Sequence, residues 1–205
     1  MKKRKKKTDK QETVSKKELE KLSDEDLMLF CKEGNMPSFE ILYARYSKRI
    51  MNYIYGIVGD YRQTENLTQE LFLRIFKYAA TYKYPQKFTT WLFALARNLS
   101  RSFLRKKMKR SGKVSLDSID YNRFEDSGPA QRLPEESLQV QEHHDQIRTA
   151  INSLPTIYRE VIFLYFFDNF NYNEISEIVG LNQSTLRSRM YYGLRKLKEI
   201  IARME

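Results

Sequence analysis

Apolar residues recur at spacings of three and four through most of this 205-residue chain, the period of an amphipathic α-helix. The longest run is Phe39, Leu42, Tyr43, Tyr46, Ile50, Tyr53, Ile54, Ile57 and Val58. It predicts a helix that starts near Pro37-Ser38 and ends at Gly59-Asp60. A shorter helix precedes it, with Ser23 as N-cap and Asp24, Glu25 and Asp26 in a first turn where carboxylates suit the helix dipole. It ends near Gly34-Asn35. A third helix is expected over 64–80 with Leu67, Leu71, Phe72, Ile75 and Phe76 inward. A fourth, over 89–109, turns Trp91, Leu92, Leu95, Leu99 and Phe103 inward. Four such helices share one core by bundle packing.

The period lapses over 111–134, where Ser111-Gly112, Ser127-Gly128-Pro129 and Pro134 mark a linker. Helical pieces resume at about 135–153, 155–167, 172–179 and 183–204. The last two carry a motif. Asn173 to Val179 is a short helix with Ile175, Ile178 and Val179 on one face. Gly180 can take positive φ at the turn, and Leu181 is an apolar plug. Asn182, Gln183, Ser184 and Thr185 open a second helix that pairs a stripe of Leu186, Met190, Leu194 and Leu197 with outward Arg187, Arg189, Tyr191, Arg195 and Lys196. This is a helix-turn-helix pattern, and a helix with Ser, Thr and Arg near its start suits the major groove of DNA. The chain therefore reads as all-α, with two small helical domains joined by a flexible linker. The boundaries are a disordered basic tail over 1–22 that turns helical near Lys16–Leu22, a bundle over 23–110, an acidic linker over 111–134 and a helix-turn-helix unit over 135–205.

Charge sharpens this picture. The formal net charge is +11, which points to a polyanion, and it is distributed in blocks. Residues 1–22 hold ten basic against four acidic side chains, and 97–113 hold eight against none. Residues 114–145 hold two against eight. The basic start either touches phosphate without specificity or is simply solvated. Cys31, the one cysteine, lies beside Phe30 in an apolar pattern and reads as a small core residue. His143 and His144 are adjacent and face different ways, so no metal site is expected. No apolar run approaches the ~20 residues of a membrane span, and the basic start lacks the apolar stretch of a signal peptide. A cytoplasmic protein without membrane insertion is expected.

No Gly-rich phosphate loop, His-Glu-x-x-His or Gly-x-Ser-x-Gly occurs, so neither a cofactor nor independent catalysis is expected. The segment 72–110 has another logic. Eight of the 27 aromatics lie between Phe72 and Phe93, and Tyr82, Tyr84 and Phe88 fall in the connection, where they are not required for the core. Arg97, Asn98, Arg101, Arg105, Lys106, Lys107, Lys109 and Arg110 follow. Aromatics stack on unpaired bases while a basic groove follows the backbone, which suits single-stranded or melting DNA. A core helix with a solvated basic end fits the same residues. On the third helix Glu65, Asn66, Gln69 and Glu70 form an outward polar face, in itself ordinary.

Four motifs in order are more specific. They are Thr64-Glu65-Asn66-Leu67-Thr68-Gln69-Glu70-Leu71-Phe72-Leu73-Arg74, Trp91 to Asn98, Leu154-Pro155-x-x-Tyr158-Arg159-Glu160-Val161, and Tyr172 to Leu181 with Thr185-Leu186-Arg187-Ser188-Arg189. Together they resemble an RNA polymerase sigma factor of the small, two-domain extracytoplasmic-function group, over about 23–110 and 135–204. The resemblance implies that Glu65, Asn66, Gln69 and Glu70 meet the clamp helices of core polymerase. It implies that Tyr82, Tyr84, Phe88 and Trp91 melt and capture the minus-ten element. Arg97, Asn98, Arg101 and Arg105 would contact backbone and upstream duplex. Gln183, Ser184, Thr185, Arg187, Ser188, Arg189, Tyr191 and Arg195 would read the minus-thirty-five element. The partners implied are core RNA polymerase at its clamp helices and flap region, promoter DNA and an anti-sigma factor, with the acidic linker threading toward the RNA exit path.

Asn66 stands where the family usually has Asp, and Tyr191-Tyr192 replaces a stretch that is more often basic. Two rival readings differ in kind. A plain helix-turn-helix regulator acting without polymerase needs neither the polar face of the third helix nor the aromatic connection. An enzyme on nucleic acid needs a carboxylate cluster or nucleophile motif that the chain lacks.

Overall fold

A computed structural model describes residues 15–110, 147 and 149–204. The linker at 111–134 and the start of the second unit lie outside the described residues. Among those residues all regular structure is helical. The first unit comprises α1 (Lys16–Leu19), α2 (Asp24–Lys32), α3 (Met36–Val58), α4 (Tyr61–Lys77), a 3-10 turn (Ala79–Thr81) and α5 (Phe88–Arg110). The second comprises a helical stretch at 149–152 (α6), α7 (Thr156–Ile162), a π-helical turn (Phe163–Phe167), α8 (Tyr172–Val179) and α9 (Gln183–Ile201). No described helix is long and apolar enough to cross a membrane.

Local chemistry sets the helix ends. The side chains of Ser23, Asn35 and Asp60 each accept a hydrogen bond from a backbone N–H in the first turn of α2, α3 and α4. Gly59 closes α3 at φ 71°, a left-handed conformation that costs glycine little. Helix α3 is the axis of the bundle. Its Ile41, Leu42, Ile50, Tyr53, Ile54 and Ile57 are buried, and α2, α4 and α5 pack around it. Asp24 of α2 accepts from Arg45 at 2.6 Å and from the Tyr46 hydroxyl, which fastens α2 to α3.

Ordered structure begins ahead of Ser23. Ser15 and Glu18 form a reciprocal capping box, and Leu19 is fully buried, so 15–22 belongs to the bundle rather than to a basic tail. Two inward expectations also change. Phe76 is 38% exposed and meets Phe39 edge-on at 5.4 Å, and Leu194 of α9 is 39% exposed. Cys31 is buried as expected, and burial pushes its thiol up to about 12, which leaves it inert.

The two units share one apolar core. Phe93 of α5 meets Phe170 edge-on at 4.8 Å, and the Phe163 ring lies directly on the backbone of α3 at Gly56. Gly56 is the residue that permits this approach, since an added Cβ would fall 2.4 Å from Phe163 Cζ. The chain is therefore closed on itself.

Candidate nucleic-acid interface

In the second unit Asn171 caps α8 in a reciprocal box with Glu174, and Gly180 ends it at φ 65°. Asn182 then caps α9, its side chain accepting from the Thr185 N–H at 2.8 Å. Leu186 and Met190 bury the inner face of α9. Ser184, Arg187, Ser188, Tyr191, Tyr192 and Arg195 remain exposed. Small serines thus lie at the centre of the outer face, with arginines and tyrosines around them. Gln183 donates its side-chain amide to Asn173 of α8, while Thr185 and Arg189 are half-buried. Tyr191 and Tyr192 pack edge to face at 5.3 Å, and Arg195 pairs with Glu199 at 3.3 Å.

The aromatic connection of the first unit is sorted by burial. Tyr82 and Phe88, which the sequence does not require in the core, are 1% and 0% exposed. The Tyr82 hydroxyl donates to the Gln86 carbonyl, and its ring packs on Phe88 and Trp91. The Phe88 N–H donates to Glu25 at 2.8 Å, so a carboxylate of α2 caps the start of α5. Neither ring can stack on a base without unfolding this corner. Trp91 is half-buried, and Tyr84 projects with 56% exposure. Of the connection's aromatics, Tyr84 is the one presented to a ligand.

The basic side chains of α5 divide likewise. Asn98 and Arg105 are exposed. Arg97 and Arg101, expected to meet DNA, instead contact Glu160 of α7 at 3.0 and 3.2 Å. Glu160 is fully buried, and the two arginine side chains are 13% and 18% exposed. In this closed form they are unavailable to DNA. Sequence patterns gave no sign of this, because the partners are about sixty residues apart and meet only through tertiary packing.

Two further ion pairs join the units. Arg49 of α3 donates to Asp168 Oδ1 at 2.9 Å and to the Asp168 carbonyl, its guanidinium lying 5.2 Å from the Phe93 ring centre and 5.3 Å from that of Phe170. Lys87 pairs with Glu174. Burial pushes the Glu174 carboxyl up, but the Lys87 ammonium and the Asn171 N–H outweigh it and hold the group below its ordinary value. Burial pushes Asp168 up to about 6 despite the Arg49 guanidinium. The folded chain therefore keeps a proton on Asp168 that the unfolded chain releases from about pH 4 upward, so this group favours folding at low pH and loses that share as pH rises through about 6. Asp168→Asn should flatten the thermal midpoint between about pH 4 and pH 6.5 relative to the parent. Parallel curves for the two proteins would contradict the shift.

The polar face of α4 stands as expected. Glu65, Asn66, Gln69 and Glu70 are all exposed, with Glu70 paired to Arg74 one turn on. Sequence reading missed Leu73, which follows Gln69 and Glu70 on that face with 71% exposure. Its signal in the sequence is a break in the polar pattern of that face.

The family description "Sigma-70 region 2" matches residues 42–110, and "Sigma-70, region 4" matches 144–197. Among similar sequences, the extracytoplasmic-function sigma factor SigE of Mycolicibacterium smegmatis is 29% identical over 83% of this chain. The chain spans 64% of that relative's length. The sigma-E factor of Escherichia coli K12 is 27% identical over 84% of this chain and 91% of its own, and SigW of Bacillus subtilis is 28% identical over 82% and 91%. Two solved structures share the fold. CnrH, in complex with the cytosolic domain of CnrY, has a TM-score of 0.66 at 17% identity over 89% of this chain and 99% of its own. RpoE of Bartonella quintana, in complex with the anti-sigma factor NepR, has a TM-score of 0.65 at 21% identity over 80% and 96%.

Proposed function

The chain belongs to the sigma-70 family, in its extracytoplasmic-function group, and from that membership we propose how its surfaces divide the work of starting transcription. It is a non-enzymatic factor that binds core RNA polymerase and directs it to promoters. The single observation that carries this reading is the ordered match to both family regions, which takes in α4 with its exposed face and α9 with its exposed basic one.

The bundle, from residue 15 rather than 23, binds polymerase and opens the minus-ten element. The clamp helices dock on Glu65, Asn66, Gln69 and Glu70, with Leu73 as the apolar centre. Tyr84 takes the unpaired base, while Tyr82, Phe88 and Trp91 form the platform behind it. Asn98 and Arg105 hold the backbone, joined by Arg97 and Arg101 once Glu160 withdraws. The helix-turn-helix unit reads the minus-thirty-five element with Ser184, Arg187, Ser188, Tyr191 and Arg195. Gln183, Thr185 and Arg189 support its edges. Its further partner is the flap region, and an anti-sigma factor is the regulator. The cytoplasm, where polymerase works, is the compartment.

Transcription in vitro with core polymerase on a library of genomic fragments tests the whole reading. Start sites that depend on this chain are expected, with two elements at fixed spacing. Core polymerase initiating identically with and without the chain would overturn it. Charge reversal at the clamp face, Gln69→Lys with Glu70→Lys, should lower core-polymerase affinity by about tenfold or more while leaving the helical circular dichroism intact, since each opposed charge costs on the order of 1 kcal/mol or more in an interface. Unchanged co-purification would remove α4 from the contact.

A further inference from the structure

Among the described residues, the four ion pairs between the units have one polarity. Every cation comes from the bundle (Arg49, Lys87, Arg97, Arg101) and every carboxylate from the second unit (Glu160, Asp168, Glu174). The cations also share a surface. Phe93, Arg97 and Arg101 follow one another at four-residue steps on α5, Lys87 stands just ahead of it, and Arg49 reaches across from α3 to the Phe93 ring. The same four-residue step continues to Arg105 and Lys109, which are exposed. One basic stripe thus runs along α5, and the described part of the second unit covers its first half.

Resting on the sigma-factor reading, we propose that Arg49, Lys87, Arg97 and Arg101 form one site for the phosphate backbone of promoter DNA, and that Glu160, Asp168 and Glu174 occupy it in the closed chain. Two arginines on one carboxylate, as at Glu160, is the arrangement that also grips a phosphate. From Lys87 to Arg101 the site is ~20 Å long, at 1.5 Å per helical residue. That is about six nucleotides of one strand. Stability alone does not call for such pairs, because an apolar contact of the same shape holds as well. Ion pairs confer something else, since an anion of the same geometry displaces them. Closure and backbone binding are then mutually exclusive, and DNA competes with the chain's own acids.

The test uses the full chain without polymerase and a fluorescent fork DNA, a duplex ending in a single strand. Affinity is read over a salt series. Dyes at Arg62→Cys and Lys198→Cys report opening, with Cys31 buried and unreactive. Glu160→Gln with Glu174→Gln should open the chain and bind the fork about tenfold tighter. The slope of log affinity against log salt should steepen by about two, because more phosphates are neutralised. Lys87→Glu or Arg49→Glu added to that open variant should reverse the gain. The exchange Arg49→Glu with Asp168→Arg should close the chain again without restoring fork binding. Lys87 is exposed, so its variant keeps the test available if Arg49→Glu misfolds. An opened chain with parental affinity and slope would overturn the proposal, as would an open variant indifferent to Lys87→Glu. A chain that stays closed without Glu160 and Glu174 would overturn their place in it. Because polymerase is absent, failure of promoter-dependent transcription would count against the sigma-factor reading and leave this result distinct.

Discussion

Gly56→Ala should drive the two units apart. The new methyl would lie 2.4–2.6 Å from three atoms of the Phe163 ring, and that ring is held in place by its stacking on Phe167 at 4.8 Å. Overpacking of this kind costs about 1–3 kcal/mol. Helix α3 itself gains up to about 1 kcal/mol when a glycine within it becomes alanine. The strain therefore falls on the contact between the units, while the bundle keeps its helices. Small-angle scattering should show a larger radius of gyration, and the melting curve should split into two transitions. A single transition with the parental radius would mean that the ring moves aside cheaply. The larger Gly56→Leu should then separate what alanine does not.

Arg159→Ala should be more damaging. Arg159 is fully buried, and its guanidinium donates to the Gly56 carbonyl at 3.3 Å and the Leu154 carbonyl at 3.0 Å. Hydrogen bonds of a charged group contribute about 1.5–3 kcal/mol each, so losing both should cost about 3 kcal/mol or more, to which the cavity adds. Urea unfolding measures this directly. Arg159→Lys keeps the charge but not the planar fork, and should recover only a fraction. If alanine shifts the midpoint by less than about 1 kcal/mol, the buried guanidinium is not what joins α7 to α3.

These two variants mark where sequence reading stops. Local chemistry was legible: the period of α3, the Ser23 cap, the turn at Gly180 and the Asn182 cap all follow from neighbours within four residues. The exposed face of α4 was legible for the same reason. Tyr82 and Phe88 were not, because they meet Lys32 of α2 and Tyr46 of α3, which only the tertiary fold brings near. The glycine at 56 sits inside a helical pattern that runs on to Val58, so nothing in its neighbours along the chain names what approaches it. In the sequence, Arg159-Glu160 is part of a family motif. Its physical content, one side chain tying α7 to α3 and the next neutralising two arginines of α5, needed coordinates.

The outer face of α9 remains exposed while the α5 stripe is half covered. The two surfaces proposed to meet DNA are therefore not withheld together. If the second unit competes with DNA as proposed, its contact with the bundle orders what the free chain can offer: the α9 face from the outset, the first half of the α5 stripe only after the units part.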